Sequence, residues 1–161
     1  MSLSSVEEMR DSIITQVKTI TVANGYRSDV GDNVLDYFAE LRTISYLPTV
    51  SVLLGNESVK SMDAYCTVWK SKVDVTLVGY VKVDNCELLL HDLKRLLAAT
   101  VISHSNEADN RWVISMTEQG DGMARVGRYF LAGEKSGFCS ITVTVIVINQ
   151  DQTFSPLIEE A

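Results

Sequence analysis

The sequence predicts an α+β fold, a two-layer sandwich in which two helices pack on one face of a mainly antiparallel sheet. Two stretches place apolar residues at steps of three and four, which is typical of helices. Several other stretches alternate apolar and polar residues, which is typical of strands, and short turns between them favour antiparallel pairing. Because each helix has a single apolar stripe, one sheet face is enough to cover both.

The first helix is predicted at about residues 5–21. Ser5 and Glu8 have the spacing of a capping box, and the Asn24–Gly25 pair follows as an end signal. The apolar stripe consists of Val6, Met9, Ile13, Val17 and Ile20. Residues 25–47 give a weaker pattern, a loop followed by either a short helix or an extended arm.

The second helix is predicted at about residues 86–102, with Asp84 and Glu87 as its capping box. Its wide apolar stripe consists of Cys86, Leu89, Leu90, Leu93, Leu96, Leu97 and Val101. The polar face predicted opposite that stripe consists of His91, Asp92, Lys94 and Arg95.

The strands come in two groups. Pro48 precedes a strand that Gly55–Asn56 closes, residues 57–62 are predicted as a loop, and residues 64–83 form one long strand or two joined by a bulge near Lys70–Lys72. After the second helix, RWVISMTE predicts a strand and the glycine-rich GDGMARVG a flexible link. A hairpin around Gly133–Gly137 leads into a last strand and a polar tail, residues 150–161, which completes a single domain over residues 1–161.

The last strand, GFCSITVTVIVINQ, raises the question of self-association. Its odd positions from Ile141 to Val147 are branched and apolar, whereas its even positions change from polar to apolar at Ile146 and Ile148. An uncovered apolar sheet face on a soluble protein usually binds a partner. We therefore predict self-association through four residues: Ile146, Ile148, Val78 and Tyr80. The alternative is that the C-terminal tail covers this face with Phe154 and Leu157.

Composition excludes several classes of function. The net charge of −7 argues against a protein that binds nucleic acid by neutralising phosphates. The longest apolar runs are too short to span a bilayer, and the N-terminus lacks the pattern of a secretory signal. The three cysteines, Cys66, Cys86 and Cys139, are too widely spaced for a zinc knuckle and are expected to be buried reduced thiols.

No motif predicts catalytic, cofactor-binding or metal-binding residues. GDGMARVG has Arg125 where a dinucleotide fingerprint requires glycine. His91 and Asp92 are adjacent on a predicted helix and therefore diverge. Two alternatives stay open: a small enzyme whose site forms between subunits, with His91, His104, Asp92 and Glu118 as its candidates, and an adaptor domain that binds one partner as a monomer.

Four stretches together resemble the tail terminator, or tail completion, proteins of long-tailed bacteriophages and their prophage relatives. They are the first helix running into ANGYRSDVG, the strand LPTVSVLLG, the strand VDVTLVGYVKV followed at once by the helix NCELLLHDLKRLLAA, and the strand CSITVTVIVINQ with its polar tail. Residues 33–47 depart from the family, because they are acidic and aromatic where many relatives have a short basic hairpin.

The resemblance implies a structural virion protein and no enzyme. Such a protein forms a ring, expected to be a hexamer, that caps the tail tube, ends tail polymerisation and joins the tail to the head. The implied partners are other copies of the chain, the tail tube protein and a head–tail connector or neck protein, with no membrane. DNA would pass through the lumen without specific binding, and assembly would take place in the bacterial cytoplasm. Neighbouring neck, connector and tail-tube proteins are the related alternative.

Overall fold

The computed structural model describes residues 5–63, 68–104, 110–115 and 124–150, and in that part of the chain it confirms the predicted α+β sandwich. These residues form two α-helices and a mainly antiparallel six-stranded sheet. The elements are α1 (Ser5–Val17), β1 (Val34–Leu35), β2 (Thr49–Met62), β3 (Val68–Lys82), α2 (Cys86–Ser103), β4 (Trp112–Ile114), β5 (Ala124–Tyr129) and β6 (Ser136–Gln150).

The sheet has the order β1-β2-β3-β6, and β4 and β5 both pair with the far side of β6. β5 lies beside residues 138–143 and β4 beside residues 145–147, so the two short strands share one edge. Every pairing is antiparallel except that of β1 with β2. The two edges of the sheet are therefore β1–β2 on one side and β4–β5 on the other.

Both helices cover the same face of the sheet, called here the helix face. α1 contributes Met9, Ile13 and Val17 to the core, and α2 contributes its leucine stripe. The odd positions of β3 and β6 meet them, as the alternation of the sequence predicts. The sheet residues of this core are Val50, Val52, Val73, Val75, Leu77, Val81, Trp112, Ile114, Cys139, Ile141, Val143, Val145 and Val147.

The first helix is shorter than predicted, because the chain turns after Val17. The Gly31 N–H donates to the carbonyl of Ile20 over 2.9 Å, which folds the following loop back against this turn. A Cβ at Gly31 would lie 2.5 Å from the Lys18 carbonyl oxygen, so only glycine fits there without a backbone shift. Gly25, at φ +90°, then ends a short 3₁₀ turn rather than the helix.

The second helix begins with Asn85 at its N-cap, one residue later than the predicted capping box. Asp84 lies instead in a 3₁₀ turn that precedes α2. The prediction that residues 57–62 form a loop is wrong, because β2 continues through them and pairs with β3. The irregularity that the sequence suggested in β3 lies in β2 instead, with register shifts after Leu54 and after Val59.

The prediction of a flexible link over residues 120–127 is wrong for its second half. Ala124 to Gly127 belong to β5, which forms with β6 the hairpin that Gly133 turns at φ +84°. Residues 120–123 lie outside the described residues, as do the predicted tail with Phe154 and Leu157, and Cys66. Part of the segment that was predicted as a flexible link is therefore a strand at the edge of the sheet.

Candidate interaction surface

Two of the four residues predicted to mediate self-association are covered by the chain itself. Val78 and Tyr80 are buried in a small cluster with Ala39 on the face opposite the helices, called here the outer face. Residues 35–47, which the sequence left as helix or arm, cross this part of the outer face and bury it. The prediction that this half of the face is open is wrong, because an apolar segment of the same chain occupies it.

The Tyr80 hydroxyl fixes that covering segment in place. It donates a hydrogen bond to the Ala39 carbonyl and accepts one from the Ala39 N–H, each over 2.9 Å. Both partners are buried, so the two bonds satisfy backbone groups that would otherwise lack a partner. The Tyr80 side chain thereby joins the covering segment to β3, in the middle of the sheet.

Ile146 and Ile148 lie at the opposite end of the outer face. Across the sheet they neighbour Lys72 and Lys70, and Val113 of β4 lies beside Ile146. Ile146 is only 8% exposed, whereas Ile148 is half-buried. Ile146 therefore offers a partner little surface, and the contact of both isoleucines with another copy stays a prediction.

A row of aromatic residues that the sequence analysis missed crosses the outer face to its β5 edge. Tyr80, Phe138 and Tyr129 are successive cross-strand neighbours, and the rings of Tyr80 and Phe138 meet edge to face at 5.2 Å. Phe38 of the covering segment stacks on Phe138 at 5.8 Å. Phe38 and Tyr129 are 59% and 61% exposed. Phe38, Phe138 and Tyr129 are called here the aromatic surface.

The sequence contains a signal that would have located this surface. Phe138 occupies an even position of the last strand, on the same face as Ser140 and Ile146. The alternation of that strand therefore puts Phe138 on the outer face, and the register of β3 with β6 brings it beside Tyr80. The position of Tyr129 on this face could not be predicted, because the glycines that precede it indicated a flexible link rather than a strand.

β5 leaves a free strand edge next to the aromatic surface. Among the described residues it pairs with β6 alone. Arg128 holds this strand to α2 through a bidentate ion pair with Glu87, at 2.6 and 3.1 Å. The Arg128 hydrogen bond lowers the pKa of the Glu87 carboxyl, and the same contact raises the pKa of Arg128. An unpaired edge of this kind accepts another strand readily.

The two histidines weighed as part of an enzyme site between subunits lie far apart within one chain. His91 is exposed on α2, and His104 follows the end of the same helix thirteen residues later, about 20 Å away at the helical rise. His104 stacks on Trp112 at 3.7 Å, and its Nδ1 lies 3.3 Å from the Trp112 carbonyl. Glu118 lies outside the described residues. Within the described chain no three of His, Cys, Asp and Glu are grouped to hold a metal ion.

Asp92 is not on a polar face, as the sequence predicted, but fully buried. Its carboxylate accepts a hydrogen bond from the Arg27 N–H at 2.9 Å and another from the Ser28 hydroxyl at 2.7 Å. The loop after α1 therefore packs over this part of α2. Arg95 strengthens the same contact, because its guanidinium donates to the Gly25 carbonyl and lies 5.0 Å from the centre of the Tyr26 ring.

We expect Asp92→Ala to lower the free energy of unfolding by about 1–3 kcal/mol, because it leaves the Arg27 N–H and the buried Ser28 hydroxyl without their acceptor. Asp92→Asn keeps one acceptor oxygen for the Arg27 N–H and should cost less. Urea unfolding of both variants measures the difference. Equal stability of the Ala variant and the parent protein would contradict this role.

Two thiols meet where α2 begins over β6. Cys86 and Cys139 are both buried and free, and each lies close enough to influence the pKa of the other. Burial is the main cause that raises the pKa of Cys139, to about 12, and it raises the pKa of Cys86 as well. The Cys139 sulfur also fills the space over Gly79, where an added Cβ would lie 2.8 Å from it.

The raised pKa of Cys139 predicts an alkaline loss of stability. Between the ordinary pKa of 9.0 and the folded value of about 12, the unfolded chain loses the proton while the folded chain keeps it, so stability falls as pH rises through this window. Cys139→Ala should flatten the dependence by up to about 1.4 kcal/mol per pH unit. Urea unfolding at a series of pH values, under reducing conditions, compares the two slopes. Identical slopes would contradict the prediction.

Comparison with protein-family models and with curated proteins finds no match for this chain. No helix among the described residues is long and apolar enough to cross a membrane.

Proposed function

We propose that this protein is a structural component of a bacteriophage tail, a terminator that self-associates into a ring at the end of the tail tube. The observation that carries the proposal is the aromatic surface next to the unpaired edge of β5. Exposed aromatic residues are enriched in protein interfaces, and an open strand edge adds backbone hydrogen bonds to such a contact. Both features favour assembly with another protein chain.

The size of the aromatic surface supports a contact that extends beyond it. Phe38 and Tyr129 are each about three-fifths exposed. An aromatic side chain buries about 150–250 Å² in all, so the two together expose about 180–300 Å². A stable interface needs about 800 Å² on each partner. A partner must therefore also cover the neighbouring strand edge, which is the contact expected between sheets of neighbouring ring subunits.

The family resemblance supports the biological setting. Its four stretches correspond to α1 with the following loop, to β2, to β3 running into α2, and to β6. A tail terminator acts as a ring, expected to be a hexamer, between the tail tube protein and the neck or connector protein of the head. The chain's net charge of −7 is consistent with a lumen through which DNA passes without being held.

Sedimentation velocity of the purified protein tests the proposal directly, with negative-stain electron microscopy of the same sample. We expect a closed ring of about six protomers, formed by the protein alone or on addition of the tail tube protein. Phe38→Ala with Tyr129→Ala should shift the ring toward monomer while the circular dichroism spectrum is unchanged. The matched control is Ile102→Ala with Val22→Ala, two exposed apolar side chains away from the aromatic surface.

Two results would contradict the proposal. One is a parent protein that stays monomeric at its highest soluble concentration and in the presence of tail tubes. The other is a ring that both double variants form equally well, which would leave the aromatic surface outside the interface. The first result favours the monomeric adaptor.

A further inference from the structure

The two edges of the sheet carry charges of opposite sign. Residues 29–63 include β1 and β2 and contain six carboxylates against two basic side chains, a net charge of −4. Residues 124–137 include β5 and its turn into β6 and contain three basic side chains against one carboxylate. Arg128 is paired with Glu87 of α2, so the remaining charges, Arg125 and Lys135 against Glu134, give a net charge of +1. These ranges are called here the acidic edge and the basic edge. Because the whole chain has a net charge of −7, a segment with net positive charge is a local exception.

Each edge also has strand backbone available for pairing. On the acidic edge β1 pairs only with Val50 and Ser51, and within the described residues nothing pairs with the outer side of β2 beyond them. Residues 54–62, nine positions of β2, are all exposed. On the basic edge β5 offers six residues. The free part of β2 is thus long enough to pair with the whole of β5.

The strand directions of the two edges are compatible. β2, β3, β6 and β5 alternate in direction across the sheet, so β2 and β5 run opposite ways. When a second copy is placed beside the first in the same orientation, its β2 runs antiparallel to the first copy's β5. The sheet then continues from copy to copy with unbroken antiparallel alternation.

We propose that the basic edge of one copy binds the acidic edge of the next copy, so that the sheet continues around the assembly. This inference rests on the proposed self-association and names the two surfaces that meet. Contact between like edges would bring charges of the same sign together, which disfavours a two-fold dimer. A contact between two different surfaces repeats head to tail, and it forms a ring when the rotation from copy to copy closes.

The register of the sheet adds a geometric consequence. β5 lies level with the start of β2, since Ala124 pairs with Val143, Val143 with Val75, and Val75 with Leu54. The free part of β2, residues 54–62, begins level with Ala124 and extends beyond that end of β5. The next copy must therefore be shifted along the strands by about six residues, roughly 20 Å. Such a stagger is what a sheet needs in order to close on itself.

Charge reversal on one edge at a time tests the proposal. Variant A carries Arg125→Glu and Lys135→Glu and makes the basic edge negative. Variant B carries Asp32→Lys, Asp36→Lys and Glu57→Lys and makes the acidic edge positive. All five side chains are exposed. Each variant alone then has two edges of the same sign, so we expect the dissociation constant of its contacts to rise by at least about tenfold at low salt.

Mixing the variants is the decisive step. Variant A has two negative edges and variant B two positive ones, so an equimolar mixture should assemble with alternating subunits. Sedimentation velocity of A, B and the mixture gives the three results side by side. The matched control, Lys18→Glu with Lys94→Glu, changes the net charge by as much as variant A, but at exposed positions in the turn after α1 and on α2, and it should assemble like the parent protein.

The outcomes separate this inference from the proposed function. A parent protein that never assembles overturns both. If the parent protein assembles and variants A and B each assemble equally well, the edge contact is overturned but the proposed ring is not. A mixture that stays monomeric also overturns the edge contact. If circular dichroism shows that either variant is unfolded, the single exposed changes Arg125→Glu and Glu57→Lys replace it. A single variant whose contacts are as strong as those of the parent protein then overturns the edge contact.

Discussion

Leu93→Ala is expected to lower the free energy of unfolding by about 2–5 kcal/mol, the usual cost of truncating a fully buried leucine. Leu93 lies in the middle of the α2 stripe, has no exposed surface and packs in the core between the helices and the sheet. The variant loses the transfer free energy of the removed methyl groups and leaves a cavity that rigid strands cannot fill. Urea unfolding measures the cost through the transition midpoint.

Ile102→Ala is the matched control for this experiment. It removes a comparable aliphatic side chain from the same helix, but Ile102 is 82% exposed. Its cost should stay within about 0.5 kcal/mol. A cost below about 1 kcal/mol for Leu93→Ala would mean that the apolar stripe of α2 is not the centre of the core.

Tyr80→Ala should cost about 3–5 kcal/mol, the range for removing a large buried aromatic side chain. The effect has two parts that Tyr80→Phe separates. The phenylalanine variant keeps the ring against Phe138 but removes both hydrogen bonds to Ala39, which is expected to cost about 1–3 kcal/mol. The alanine variant also leaves the covering segment without the surface on which it packs.

Cleavage by trypsin after Arg42 reports the local consequence. Arg42 lies in the covering segment and its side chain is largely exposed, so cleavage depends on how often the backbone of this segment detaches. We expect the rate to increase in the order parent, Tyr80→Phe, Tyr80→Ala. Tyr129→Ala, in the same aromatic row but at the open edge, should leave stability and cleavage near those of the parent. Unchanged cleavage in Tyr80→Ala would show that Tyr80 does not hold the segment.

The corrections to the sequence-based predictions share one cause, which is contact between residues distant in the chain. Asp92 was assigned to the polar face of α2 with His91, and nothing nearby in the sequence reveals that Arg27 and Ser28 will cover it. Glycines stand shortly before and after β5 in the sequence, which indicated a loop. Its pairing with residues 138–143 of β6 makes it a strand. A local sequence pattern reflects the intrinsic propensity of the residues, whereas the burial of Asp92 and the strand conformation of β5 depend on contacts with distant parts of the chain.

The sequence by itself determined the two helices, the strand alternation of β3 and β6, and hence the α+β sandwich, because the period of apolar residues depends only on local backbone geometry. Only the tertiary structure decided which parts of the outer face are covered. Ala39 meets Tyr80 across 41 positions of chain, and that contact closes the half of the face that alternation alone left open. It also brings Phe38 onto Phe138 at the β5 edge. The surface available to a partner is therefore a property of how the chain packs on itself, since a residue's exposure depends on what folds over it.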